Sequence, residues 1–164
     1  MTKNYEYTMK HLLIITAMLM TLTASAQTNK VYNETIDPMQ QIDSALVVAQ
    51  QQKKNVICQL GGNWCPWCLL FADYITKNEK VAAVIADNYV YIHVNYPRRT
   101  QGASAEALKK RMHNAGRFGF PALVVLNADG DVIHIQDSGL LEEGKGYNES
   151  KVLSFLQNWT PAAM

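Results

Sequence analysis

The sequence predicts an α/β domain with a central mixed β-sheet flanked by helices on both faces. Three observations carry that expectation. Segments with helical apolar spacing alternate with short β-rich runs, in the order α-β-α-α-β-α-β-β-α, which is the pattern of a layered α/β domain. The last two strand-like runs are separated only by Ala128-Asp129-Gly130, so they close as an antiparallel hairpin and make the sheet mixed. The chain has 164 residues, 48% of them hydrophobic, which suits one ordinary domain and excludes bulk disorder.

The first segment reads as an address. Residues 12–22 (LLIITAMLMTL) are an apolar run preceded by Lys10 and His11, and Ala24-Ser25-Ala26 supplies an A-x-A site. This is the layout of a secretory signal peptide over residues 1–26, cleaved after Ala26. As a helix the apolar run reaches about 16 Å, roughly half a hydrocarbon core, which disfavours a membrane anchor. Met9 makes a more usual start than Met1 for such a segment. Without residues 1–26 the chain loses Lys3, Lys10 and Glu6, and basic and acidic residues balance. A neutral chain offers no electrostatic case for nucleic acid or an anionic membrane surface. No later apolar segment reaches a spanning length, so no stable membrane insertion is expected after cleavage.

Residues 27–36 are polar and read as a loose lead-in to a domain over 37–164. Asp37-Pro38 is a helix start, a capping carboxylate followed by proline at the first helical position. Ile42, Ala45, Leu46 and Ala49 continue at helical spacing to Lys53-Lys54. Residues 55–60 (NVICQL) are a short buried-strand candidate, broken by Gly61-Gly62-Asn63. A helix follows over 65–75, with Leu69, Ala72 and Ile75 on one side, and Asn78 caps another with Val81, Val84 and Ile85. Residues 89–95 (YVYIHVN) have strong β-propensity. Residues 96–102, with Pro97 and the Arg98-Arg99 pair, are a loop whose arginines read as a solvated surface. Ser104 is the expected cap of a helix carrying Ala105, Leu108 and Met112, with Gly116 as its stop. Strands over 121–126 and 132–135 form the hairpin, residues 140–147 a Gly- and Glu-rich loop, and residues 150–159 a last amphipathic helix.

The chemistry concentrates in Cys65-Pro66-Trp67-Cys68. The pair follows a predicted strand and opens a predicted helix, where free N–H groups and the helix dipole favour an anion. A free thiol titrates at about 8.5, and in C-x-x-C motifs values of about 3.5–7.5 occur. The thiolate is the nucleophile of disulfide exchange. Spacing of three sets the second sulfur one turn on, so one cysteine can capture a partner and the other release it. Rival readings are a zinc site, covalent haem and a static bridge. Zinc wants four ligands, and His93, His113 and His134 lie on separate elements with no second cysteine pair, so no metal is expected. Haem attachment wants a His after the second Cys, and Leu69 stands there. A static structural disulfide explains two nearby cysteines but not their place at a strand-to-helix junction after Trp64.

Residues 61–68 (GGNWCPWC), then a helix, resemble the active-site segment of the thioredoxin superfamily. Gly119-Phe120-Pro121, opening the strand-and-turn segment that runs to Asp129-Gly130, resembles the loop that presents a cis-proline beside the cysteines in that superfamily. The likeness spans roughly residues 37–160 and is greatest to exported bacterial thioredoxin-like thiol:disulfide interchange proteins. It implies a thioredoxin fold, Cys65 as nucleophile, Cys68 as resolving thiol, and a Cys65–Cys68 disulfide in the oxidised form. It further implies a partner groove of Trp64, Pro66, Trp67, Phe120 and Pro121, with the Phe120 backbone open to an extended peptide. A dithiol carries its own two electrons, so no cofactor is implied. The implied partners are protein disulfides or dithiols and a membrane thiol-relay electron donor, in the periplasm.

Some residues depart from the pattern. Thioredoxin itself has Gly-Pro between its cysteines, and strongly oxidising relatives have His before the second; Pro66-Trp67 stands here. Where many thioredoxins bury an Asp six residues before the first Cys, this chain has Gln59, which cannot titrate near neutrality. Cys58 reads as an inert core thiol and His93 as structural. Trp64 is expected beside the sulfurs and Trp67 exposed. The departures keep a second reading open, a thioredoxin-fold peptide-binding module without redox turnover.

Overall fold

The computed structural model describes residues 30–96 and 102–164. The address segment 1–26, residues 27–29 of the lead-in and the Arg98-Arg99 pair lie outside the described residues. The chain forms α1 (Pro38–Gln52), β1 (Asn55–Gly61), α2 (Pro66–Lys77), α3 (Glu79–Asn88), β2 (Tyr89–Asn95), α4 (Ala103–Arg111), β3 (Ala122–Leu126) and β4 (Val132–Asp137). A two-residue pair, β5 (Glu142–Glu143) and β6 (Gly146–Tyr147), precedes α5 (Glu149–Asn158).

Local chemistry sets the helix boundaries. The Asp37 carboxylate accepts from the Met39 and Gln40 amides at 2.8 and 3.0 Å, and Pro38 takes the first helical position. Lys53 ends α1 in the left-handed region at φ 55°. Asn78 terminates α2 and caps α3, its side chain accepting from the Val81 amide.

The main sheet runs β2-β1-β3-β4. β1 is parallel to β2, from Asn55 beside Tyr89 to Gly61 beside Asn95, and antiparallel to β3. β3 pairs antiparallel with β4, with a bulge between Val125 and Leu126. All of β1 and β3 is buried, as central strands covered on both faces must be. Alternation divides the core in two. Val56, Cys58 and Leu60 face α1 and α4 together with Ile42, Ala49, Leu108 and Met112. Ile57, Leu123 and Val125 face Phe71 and Ile75 of α2, Val81 of α3 and Phe155 of α5.

The elements depart from the sequence reading in several places. Gly102, at φ 145° and without a side-chain cap, precedes α4 rather than Ser104. That helix stops at Arg111, and His113 and Asn114 turn through the left-handed region before a 3-10 turn, Ala115–Phe118, that contains Gly116. The segment read as a loop over 140–147 holds the β5–β6 pair, too short to display any alternation. The lead-in is not loose throughout, because Tyr32 is fully buried. Asn63 clamps it, accepting from the Tyr32 amide at 3.1 Å and donating to the Tyr32 carbonyl at 2.8 Å.

Candidate active site

The site begins where β1 runs out. Gly61 ends the strand, and a tight turn returns the Cys65 amide to the Gly62 carbonyl at 3.0 Å. Cys65 is the N-cap of α2, extended at φ −108°, with Pro66 at the first helical position. Its Sγ accepts the Cys68 amide at 3.2 Å. One helical turn brings the two residues to 5.2 Å between Cα atoms, and their sulfurs are bonded at 2.15 Å. Cys65 is 5% exposed and Cys68 fully buried, so the first sulfur alone can be approached from outside. The helix N-terminus behind it stabilises a negative charge there.

One rim comes from the β3 side. The Phe120-Pro121 peptide is cis, and the Phe120 carbonyl oxygen stands 3.7 Å from Cys65 Sγ. The Phe120 ring meets Trp64 edge-to-face at 5.3 Å and Tyr96 at 5.1 Å. Trp64 is 36% exposed, so Trp64, Phe120 and the first sulfur form one partly apolar surface with a backbone acceptor in it. Pro66 is exposed and Pro121 buried at its edge. Trp67 departs from expectation: it is half-buried, edge-on to Tyr147 at 5.7 Å, with its carbonyl accepting the Tyr147 hydroxyl. A residue on the first turn of α2 that faces β6 is covered by that strand.

The floor is polar, and most of it is unmarked in the sequence. Gln59 is fully buried. Its Nε2 donates to the Cys68 carbonyl at 2.9 Å and to the Tyr32 hydroxyl at 2.5 Å, and its Oε1 accepts the Tyr91 hydroxyl at 2.7 Å. His93 lies edge-on between the rings of Tyr32 and Tyr91, at 5.4 and 5.5 Å. Burial pushes the Tyr32 and Tyr91 phenols up and the His93 imidazole down, so all three are neutral near pH 7. Tyr91 and His93 share a face through strand alternation, a signal present in YVYIHVN. For Tyr32 no local pattern marks a buried residue.

Cys58 occupies the opposite sheet face, in the α1–α4 core, and burial raises its thiol to about 12. It has no part in the site. Among the described residues no group of three or more His, Cys, Asp or Glu is placed to hold a metal.

A family model described as thioredoxin-like matches residues 37–128, more than half of the chain. The chain belongs to the thioredoxin-like family. Its fold is similar to that of a disulphide isomerase from Xylella fastidiosa Temecula1, with TM-score 0.66 and 24% identity over 80% of this chain and 97% of that one. A DsbH oxidoreductase structure is more distant, with TM-score 0.45 and 22% identity over 70% and 81% of the two chains. No curated protein matches the chain significantly. As a thioredoxin-like protein with a vicinal Cys65–Cys68 pair at a helix N-terminus, the chain has the equipment of a thiol–disulfide oxidoreductase.

Proposed function

We propose that the protein is an exported thiol–disulfide oxidoreductase that reduces or isomerises disulfides of periplasmic proteins. The observation that carries this reading is the pair itself, a barely exposed Cys65 sulfur at the N-terminus of α2, backed by a buried Cys68 and bordered by the Phe120 carbonyl. In the reductive direction the Cys65 thiolate attacks a partner disulfide, forming a mixed disulfide and expelling one partner thiolate. Cys68 then attacks Cys65, the second partner thiolate leaves, and the Cys65–Cys68 disulfide remains with two electrons passed to the partner. A membrane thiol-relay protein would restore the dithiol. Trp64, Pro66, Phe120 and Pro121 would hold the partner backbone alongside the first sulfur, with Trp67 contributing mainly through its packing on β6. The signal segment 1–26 supports export, an oxidising compartment suits a protein whose substrates are disulfides, and among the described residues no helix is long and apolar enough to cross a membrane.

The test is insulin reduction with dithiothreitol. The wild-type protein should accelerate it, Cys65→Ser should abolish the acceleration, and Cys68→Ser should accumulate mixed disulfides. A protein that shows no acceleration, yet keeps partner affinity with both cysteines changed to Ser, is a binding module instead. The reduction potential fixes direction: a value near −270 mV places the pair with thioredoxin as a reductant, and one near −120 mV makes it a disulfide donor, in the ranges known for such couples.

A further inference from the structure

The resolving step needs the Cys68 thiol to become a thiolate inside the protein. Burial in apolar surroundings opposes this, and the side chain bonded to the Cys68 carbonyl is an amide, Gln59, which cannot take the proton. The hydrogen bonds of that floor fix where the remaining protons point. The Cys68 carbonyl can only accept, so the amide atom facing it is Nε2. Nε2 therefore also donates to the Tyr32 hydroxyl, and Oε1 takes the Tyr91 proton. The Tyr32 oxygen is used as an acceptor, which leaves its own proton to be donated elsewhere. Among the described residues no nitrogen or oxygen receives it. Two groups beside it could: the Cys68 sulfur, and His93 Nε2, which is buried without a partner among the described residues next to the Tyr32 ring. A Cβ placed on Gly61 would lie 2.5 Å from Cys68 Sγ and 2.7 Å from Tyr32 Oη, so both groups border that glycine, and Tyr32, Cys65 and Cys68 pack as one buried cluster. A disulfide sulfur is a weak acceptor and a thiolate a strong one.

We propose that the Tyr32 hydroxyl donates a hydrogen bond to the Cys68 thiolate in the resolving step, and that Gln59, held in turn by Tyr91, aims it there. This rests on the oxidoreductase reading and specifies how the second thiol is activated. The Cys68 proton ends on the departing partner thiolate. The Cys68 Sγ–Cys65 Sγ bond forms as the Cys65–partner bond breaks, and Tyr32 keeps its proton throughout. The phenol acts as a donor and not a base, since a buried phenol does not ionise near neutrality. The other titratable groups around this floor are Tyr91 and His93 from β2 and Tyr147 from β6, itself influenced by Glu142; Cys58 lies through the sheet, near Arg111.

Mixing the reduced protein with excess 5,5′-dithiobis(2-nitrobenzoate) separates the two thiols. The first coloured thiolate released reports attack by Cys65, and the second reports resolution by Cys68. Tyr32→Phe should slow the second release about tenfold at pH 7 and move its pH midpoint up by about one unit, leaving the first release unchanged. Tyr91→Phe leaves the Tyr32 ring in place and loosens only Gln59, so it should shift the midpoint in the same direction by less. It decides the matter should Tyr32→Phe fail to fold. Thiolate absorbance at 240 nm in a Cys65→Ser background should show the same upward shift for Cys68. Unchanged midpoints in the folded variants overturn the role of Tyr32. A wild-type protein with no first release faster than an unfolded control overturns the oxidoreductase reading instead.

Discussion

Gly61 is the residue on which the site closes. The sulfur of Cys68 and the hydroxyl of Tyr32 would crowd any Cβ placed on it, and neither belongs to a side chain free to swing away, since both are fully buried. Gly61→Ala is expected to cost about 1–3 kcal/mol, as overpacking does in well-filled cores, seen as a lower urea midpoint with unchanged slope. At Gly62 the three atoms nearest an added Cβ all belong to the Trp64 ring, which packs edge-on to Phe120, so Gly62→Ala should displace that ring and disturb the rim of the site. Cys58 makes a different prediction. Its buried thiol, held near 12, should resist iodoacetamide at pH 8 in the reduced folded protein while Cys65 is alkylated. Labelling of Cys58 at the rate seen in denaturant would contradict its placement between α1, α4 and the sheet.

At the scale of elements, capping side chains do more than satisfy helix ends. Asn78 accepts from the first turn of α3 and donates to Glu149 at the start of α5 at 2.8 Å, and Glu149 also binds Lys80 at 2.7 Å. The ion pair is exposed and contributes little by itself. The cap is the stronger term, so Asn78→Ala should destabilise by about 1 kcal/mol, and Lys80→Ala by far less, both read from urea unfolding. Equal losses in the two variants would shift the weight to the ion pair. The β1–α2 junction is the element that carries the chemistry. There the strand ends, proline starts the helix, and Cys65 is at once N-cap and nucleophile candidate.

The whole molecule buries several groups that must stay protonated. Burial raises Cys58 to about 12 and pushes Tyr32, Tyr89, Tyr91 and Tyr147 upward. The sign follows from linkage: where folded pKa values exceed unfolded ones, the folded state holds more protons, and stability present at neutral pH is lost as pH rises. For Cys58 the loss begins near the free-thiol value of about 8.5 and runs to about 12, at up to about 1.4 kcal/mol per pH unit. The urea midpoint should therefore fall between pH 8 and pH 10.5, and Cys58→Ala should flatten part of that fall. A midpoint independent of pH over this range would show that these groups are reached by water in the folded state.

The strands of the main sheet, the helices that cover it and the cysteine pair are legible in the sequence, because each is written in local terms. Periodicity separates β1 from α1, Asp37-Pro38 and Asn78 mark helix starts, and a C-x-x-C after a glycine-rich break states its own position at a helix N-terminus. The partial exposure of Trp67 and the 3-10 turn after α4 escaped, since each depends on what packs above it or on left-handed backbone at His113 and Asn114 that no single residue type demands. The floor of the site was decided by tertiary structure alone. Tyr32 lies 27 residues before Gln59, and Tyr91 lies 32 after it. Gln59 read alone is a missing acid; between these two hydroxyls and the Cys68 carbonyl it is an amide held in one orientation. A hydrogen bond across such separations leaves no trace in spacing, because it exists only once the sheet and the lead-in have closed around it.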